Sequence, residues 1–340
     1  MKPLNSPAPS VSPGLIVDLA NAFFGSCILF TASDAGVFRR LAEQDGMDSA
    51  SLARDLQQSE RGMRALMDAC VAVELLLKNG ERYSLTPAAR TFLTPGSPAD
   101  LSGALRYNRD VYSAWGRLAE FVRTGQPVER PELHLGEDRE RTRAFVMAMH
   151  DKAVGMGRAI LPWLDLAGRK RLLDVGGGPG TIAVLIAQAF PEIHCTVMDL
   201  PAVVDVAREL IERQGATARV GILAGDYHTT PFPSGLDALN FFGMLHQESP
   251  EAIRNLIGKA HAALEPGGVI HVMDMMTDDS HTQPPFSAIF ALTMGLTTQY
   301  GWVFSAGELQ GWLEESGFTG FSVQPLPPPL PHWLARARKP

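Results

Sequence analysis

Apolar residues recur at helical spacing from Leu15 to about Phe30, and again over Ala35 to Ala42. Asp48 heads a short helical segment reaching Leu56, with an acid or hydroxyl placed to cap its first turn. Ser59 stands before a second periodic set, Met63, Leu66, Met67, Cys70, Val71 and Leu75. The pattern then shortens. Leu77 to Leu85 reads as a β-hairpin with Asn79-Gly80 as its turn. Helices that close on a small hairpin describe a winged helix. From Ala99 to about Leu166 the spacing is helical again, broken near Gly125-Gln126-Pro127 and Arg130-Pro131-Glu132. A long helix is expected from about Glu140 to Leu161.

From Arg171 short apolar runs alternate with helical ones. Strands are expected at Leu172–Val175, His194–Asp199, Val220–Ala224, Ala238–Phe242 and Gly268–Met273, and helices at Thr181–Phe190, Ala202–Arg213 and Pro250–Leu264. Such alternation gives an α/β domain with a parallel sheet covered on both faces. The expected division is a flexible tail at 1–13, a winged helix at 14–98, a helical linker at 99–166 and the sheet domain at 167–340.

The chain has 340 residues, 45% hydrophobic and 20% charged, enough for a full core. Its net charge of -7 argues against a broad nucleic-acid or anionic-membrane surface. Phe23 to Phe30 is too short to span a bilayer and holds Gly25 and Ser26, so no membrane span is expected. Three separated cysteines, Cys27, Cys70 and Cys195, form no Cys-x-x-Cys pair and fit a reducing, cytoplasmic setting.

The segment richest in chemistry is Asp174-Val175-Gly176-Gly177-Gly178-Pro179-Gly180, between a strand and a helix. Ligands of open parallel sheets bind at that edge, and glycines let a ligand touch the backbone. A dinucleotide site needs a third glycine where Thr181 stands, which argues against an NAD(P) oxidoreductase. Glycines at 176, 178 and 180 instead resemble motif I of class I S-adenosylmethionine (SAM) methyltransferases. Asp199, about twenty residues on at a strand end, is placed to accept both ribose hydroxyls. Asp226, after the third strand, is placed for the adenine amino group.

With these residues in order, the chain resembles the caffeate/acetylserotonin O-methyltransferase family, in its bacterial secondary-metabolite branch. Leu173–Gly180, Met198-Asp199-Leu200-Pro201, Ala224-Gly225-Asp226, Met244-Leu245-His246, Leu264–Gly268 and Leu313–Phe318 carry the resemblance, which covers nearly the whole chain. It implies a Rossmann-like methyltransferase domain with SAM as cofactor. It also implies a homodimer formed through the N-terminal winged helix, and a linker helix over the active site. By position, Asp174, Gly176, Gly178, Asp199, Leu200, Asp226 and Tyr227 would contact SAM, and His246 would be the catalytic base. Met149 would pack against the acceptor, with Trp115, Phe145, Phe290 and Met294 as pocket walls. Three departures stand out: His246-Gln247-Glu248 replaces His-Asp-Trp, Phe242 replaces a SAM-facing lysine, and a histidine-orienting glutamate aligns with about Val303.

The leading expectation is O-methylation of a small aromatic or secondary-metabolite acceptor. A phenol has a pKa of about 10 and an ordinary imidazole about 6.5, a workable acid–base pair. Glu248 would orient His246, bind substrate, or serve only as a cap or surface residue. His150 follows Met149; facing His246 across the pocket, it would hold a metal or act as a hydrogen-bond donor of the wall. The enzyme-level alternative is C-methylation of an α-keto acid or an electron-rich ring; in its metal-assisted version the α-keto acid would be clamped by Arg106, Arg109 or Arg143, unless those arginines pair with Glu137, Asp138 or Glu140. A winged-helix regulator and a non-catalytic SAM scaffold are the readings from other classes. His271 reads as a core or edge histidine, and His281 and His332 carry no signal. Met273, Met275 and Met276 read as core, and Pro325 to Pro331 as a stiff connector to a last strand at Trp333–Ala337.

Overall fold

The computed structural model describes residues 12–97, 99–130, 136–328 and 330–340. Most of the expected tail, Pro131 and Glu132 of the expected break, and Pro329 of the proline run lie outside the described residues. Two compact units divide between Ser102 and Gly103.

The first unit holds α1 (Gly14–Asn21), α2 (Phe23–Asp34), α3 (Val37–Glu43), β1 (Met47–Asp48), α4 (Ser49–Asp55), α5 (Glu60–Ala72), β2 (Leu76–Asn79), β3 (Arg82–Leu85) and α6 (Pro87–Phe92). Asp48 and Ser59 cap α4 and α5 as expected, accepting from the N–H groups of Ser51 and Gly62. Phe38, Leu41, Leu52, Met67, Cys70 and Tyr83 form the buried interior. The strands pair antiparallel in the order β1-β3-β2. Asn79 pairs with Arg82, so the hairpin turns at Gly80-Glu81, one residue later than expected. Gly80 takes the left-handed conformation (φ 60°) that a tight hairpin demands, and Asn79 stays in the ladder.

The expectation of no long apolar run needs correction. Gly14–Asp34 is 21 residues with a mean hydropathy of 1.8, long and apolar enough by composition to cross a membrane. Judged by Phe23–Phe30 alone, the run looks short. Only Asp18 and Asp34 carry charge within it, and its two helices are separated by Ala22 alone.

In the second unit, α7 (Ser102–Asp110), α8 (Tyr112–Trp115), α9 (Leu118–Thr124) and α10 (Arg139–Ile160) precede the sheet. There follow β4 (Arg171–Val175), α11 (Thr181–Ala189), β5 (His194–Asp199), α12 (Pro201–Arg213), β6 (Val220–Ala224), β7 (Leu236–Phe242), α13 (Pro250–Ala263), β8 (Leu264–Asp274), α14 (Pro285–Thr297), α15 (Ala306–Glu315), β9 (Thr319–Pro325) and β10 (Trp333–Arg338). The seven strands lie in the order β6-β5-β4-β7-β8-β10-β9. All pairs are parallel except those of β10, which runs antiparallel to both neighbours.

The strand interiors are apolar because helices cover both faces. On one face Phe241 and Ile270 pack with Ile253, Leu256, Leu309 and Trp312 of α13 and α15. On the other, Leu172 and Val197 pack with Ile160, Ile186 and Ala207 of α10, α11 and α12. His271 is fully buried, as a core histidine. Its Nε2 accepts from the Asp165 N–H, so Nδ1 carries the proton that Asn240 Oδ1 receives. From β4 the chain builds β5 and β6 to one side, then returns to build β7 and β8 on the other. The crevice between the carboxyl ends of β4 and β7 is therefore the switch point where such sheets bind ligands.

Candidate active site

The glycine loop leaves β4 at that crevice. Gly176, Gly178 and Gly180 all take left-handed φ, at 64°, 53° and 70°. A side chain at Gly176 would meet Met244, and one at Gly180 would meet Ile211 and Val197, each at 3.1–3.3 Å. At Gly178 the space is open. Glycine is thus required at two positions by packing, and at the third it leaves room for a ligand at the backbone. Gly178 and Leu200 donate their N–H groups to opposite oxygens of Asp199, each at 2.8 Å. Burial still raises the Asp199 carboxyl to about 6, against those two hydrogen bonds. Asp174 is 1% exposed, and its Oδ1 has no hydrogen-bond partner among the described residues. Burial, then the charge of Asp199, pushes it up to about 7. Two carboxyls beside the loop, on β4 and at the end of β5, therefore gain from a positively charged or hydrogen-bond-donating ligand.

Beyond β6, Asp226 accepts the His228 N–H at its Oδ1 (2.8 Å). Tyr227 donates to Glu248 Oε1 at 2.6 Å, and Glu248 Oε2 lies 3.2 Å from His228 Nε2. Burial and the Glu248 charge drive the Tyr227 phenol far above its ordinary pKa, so it stays a donor. Lys259 ties this loop to α13 through the carbonyls of Tyr227, His228 and Thr230. Glu248 thus anchors Tyr227 and His228. The expectation that it orients His246 is not met.

His246 lies in a single 3-10 turn, Leu245–Gln247, after β7 and is 9% exposed. Its Nδ1 is 2.5 Å from Oδ1 of Asp274, the last residue of β8, which is fully buried. Asp274 also accepts the backbone N–H groups of His246 (3.2 Å) and Met275 (2.8 Å). Both carboxylate oxygens are engaged. The bond fixes the imidazole with its proton on Nδ1 and leaves Nε2 as the basic nitrogen. Phe290 of α14 meets the ring edge-on at 5.3 Å. Val303 is buried, and the carboxylate that reaches His246 is that of Asp274. Its signal in the sequence is a lone acid closing an apolar strand at the ligand-binding edge.

The remaining pocket candidates are spread over α8, α10 and α14. Met294 follows Phe290 by one turn of α14 and is buried. Phe145 and Met149 are half-buried on one face of α10. Leu200 packs with Phe145 and Val146, joining α10 to the start of α12. Trp115 packs with Leu296 at the far end of α14, away from Phe290 along that helix. His150 Nδ1 is 2.6 Å from Thr181 Oγ1, so it faces the start of α11 next to the glycine loop. Among the described residues no three His, Cys, Asp or Glu side chains gather closely enough to hold a metal ion. Two of the expected arginine clamps are engaged elsewhere. Arg143 makes a two-pronged pair with Glu209 at 3.0 and 2.9 Å, and Arg109 pairs with Asp110 at 2.7 Å.

Residues 122–319 match the family model of the O-methyltransferase domain, and residues 17–95 that of the O-methyltransferase dimerisation domain. The chain belongs to the O-methyltransferase family. It is 30% identical to the 3-hydroxy-5-methyl-1-naphthoate 3-O-methyltransferase of Streptomyces sahachiroi, over 92% of this chain and 91% of that one. It is 32% identical to the N,N-dimethyltransferase OxyT of Streptomyces rimosus, over 98% of both chains. Human N-acetylserotonin methyltransferase, solved in complex with SAM, superimposes with a TM-score of 0.86 at 27% identity, over 98% of this chain and 99% of that one. This O-methyltransferase is a SAM-dependent enzyme of mixed α/β fold.

The residues at the crevice fit SAM, a cation with several donors. The open space at Gly178, the unpartnered Asp174 Oδ1 and the raised Asp199 carboxyl each call for such a ligand. The two carboxyls also set a sign for pH. A cationic ligand favours their ionised forms, so binding releases protons and affinity weakens as pH falls through about 7 and 6. Calorimetry at pH 7.5 and 5.5 is expected to show SAM binding about tenfold or more weaker at the lower pH. Equal affinity at both would contradict this account of the two carboxyls.

Proposed function

We propose that the enzyme methylates a hydroxyl on an aromatic secondary-metabolite acceptor, with His246 as general base and Asp274 as its positioning residue. The observation that carries this reading is the 2.5 Å contact between His246 Nδ1 and Asp274, which frees Nε2 to take a proton. SAM, when bound, supplies a methyl group on a sulfonium. Asp199 keeps a second lone pair on each oxygen for the ribose hydroxyls, and Asp226 keeps Oδ2 for the adenine amino group. Gly176 and Gly178 let the cofactor reach the backbone. Phe290, Met294 and Met149 supply an apolar wall that excludes water and aligns the acceptor oxygen.

A relative 32% identical is an N,N-dimethyltransferase, so an amine acceptor is the second reading. The buried dyad favours the hydroxyl. A neutral amine attacks with a free lone pair, whereas a phenol gains its nucleophilicity by losing a proton. C-methylation through a His150/His246 metal is not favoured, because Thr181 engages His150. The regulator and scaffold readings are not favoured in a chain that matches the O-methyltransferase family along most of its length.

The exposed apolar side chains of Leu15, Ile16, Leu19, Phe23 and Phe24, 52–69% accessible in the single chain, support a homodimer formed through α1 and α2. The free cysteines, two of them buried, support a cytoplasmic location. Light scattering is expected to read a mass near twice 36.8 kDa; a monomer would contradict the dimer. Replacing His246 by Gln is expected to lower kcat by about a hundredfold or more while SAM affinity stays at the wild-type value. Unchanged turnover would refute the base assignment.

A further inference from the structure

Glu248 stands where the turn that carries His246 runs into α13. Its N–H donates to the Leu245 carbonyl at 3.0 Å, and the next residue, Ser249, caps that helix. The backbone at Glu248 is therefore fixed from both sides, and its side chain is buried. A carboxylate taken out of water must find donors. This one finds them in the loop after β6, with the Tyr227 phenol 2.6 Å from Oε1 and His228 Nε2 3.2 Å from Oε2. The two rings it holds lie 4.7 Å apart at 57°.

The loop passes this hold on to Asp226. The His228 N–H donates to Asp226 Oδ1 at 2.8 Å, so the residue whose ring meets Glu248 also fixes the Asp226 carboxylate through its backbone. The Asp226 carbonyl accepts from the Thr229 and Thr230 N–H groups at 3.1 and 2.7 Å, and the Gly225 N–H donates to the Asp199 carbonyl at 2.9 Å. Lys259 reaches the carbonyls of Tyr227, His228 and Thr230 from α13. These bonds hold the main chain of the loop, and Glu248 holds its side chains. The His228 side chain is 43% exposed. Without the carboxylate its ring gains the freedom of solvent, and Asp226 loses the firmness of the peptide that orients it.

We propose that Glu248 is a positioning residue for the cofactor's base: through His228 and Tyr227 it fixes Asp226, so that the enzyme accepts an adenine amino group and rejects a base that lacks one. This inference rests on the proposed placement of that amino group at Asp226 Oδ2. An amino group donates to the carboxylate, whereas a carbonyl oxygen in its place presents a lone pair to it. A carboxylate held in place penalises the carbonyl, and a loose one turns away to water. His246 is held separately, by Asp274, so Glu248 governs recognition of the cofactor and not the base.

The test is calorimetric binding of S-adenosylhomocysteine and of S-inosylhomocysteine to the full-length protein. The second ligand carries a carbonyl oxygen where the first has the adenine amino group. The wild type is expected to favour the first by about tenfold or more, and Glu248→Ala to reduce that preference below about threefold. Glu248→Gln, whose amide oxygen still accepts from one of the two donors, is expected to lie between them. His228→Ala is expected to narrow the preference as well, and the pair Glu248→Ala, His228→Ala to narrow it no further than Glu248→Ala alone. The melting temperature of the ligand-free protein reports the folding of each variant, and His228→Ala carries the test if Glu248→Ala does not fold. If Glu248→Ala leaves the preference intact, whether or not both ligands bind more weakly, the assignment is overturned and Glu248 is a packing residue. Asp226→Ala separates this failure from that of the cofactor placement. If it abolishes the preference while Glu248→Ala does not, Glu248 alone is misassigned. If the preference survives in Asp226→Ala, the adenine placement fails and the inference falls with it.

Discussion

Carboxylates taken out of water must be met by donors or lose their charge, and three of them stand along one edge of this sheet. Asp174 lies near the end of β4, Asp199 ends β5 and Asp274 ends β8. The fold meets them unequally. Asp274 is satisfied by a histidine ring and two backbone N–H groups. Asp199 receives two backbone N–H groups, one of them from the glycine loop. Asp174 is left with an oxygen that has no hydrogen-bond partner among the described residues. Charge satisfied from within makes a rigid base. Charge left unsatisfied makes a place for a cation. The proposed division of labour between base and cofactor site follows from that difference.

The rest of the second unit serves this edge. The left-handed glycines bring the Gly178 N–H onto Asp199 while keeping the loop clear of Met244 and Ile211. The Glu248–Tyr227–His228 cluster and Lys259 hold the loop after β6, fixing Asp226 beside it. The helices α10 and α14 carry the acceptor-side residues, and each is tied to the sheet domain. Thr181 bonds His150, and Phe290 packs on the His246 ring. The surroundings of His246 thus depend on packing from elements far apart in sequence, and relatives of similar identity are named for transfer to different atoms.

The fold was largely legible because its signals are local. Strand bounds at His194–Asp199 and Val220–Ala224 agree with the sequence reading to the residue, since apolar runs and turn residues mark them. Asp199, His246 and the glycine loop were legible because their spacing along a strand–helix repeat fixes their position. What was missed depends on tertiary approach. Asp274 meets His246 across 28 residues, and no local pattern announces that contact. Glu248, next but one to His246, was drawn to Tyr227 instead. His332 carried no signal in the sequence, because its burial comes from tertiary packing around the start of β10. The long apolar stretch at Gly14–Asp34 was underestimated because polar residues inside it split a pattern that its two helices nearly rejoin.

The claim on which the account turns is that Asp274 acts through His246. A double-mutant cycle on single-turnover methyl transfer tests it, using His246→Gln, Asp274→Asn and the pair together. The account predicts that Asp274→Asn slows transfer strongly in the wild-type background and changes almost nothing once His246 is Gln. Independent, additive losses would contradict it and assign Asp274 a role of its own.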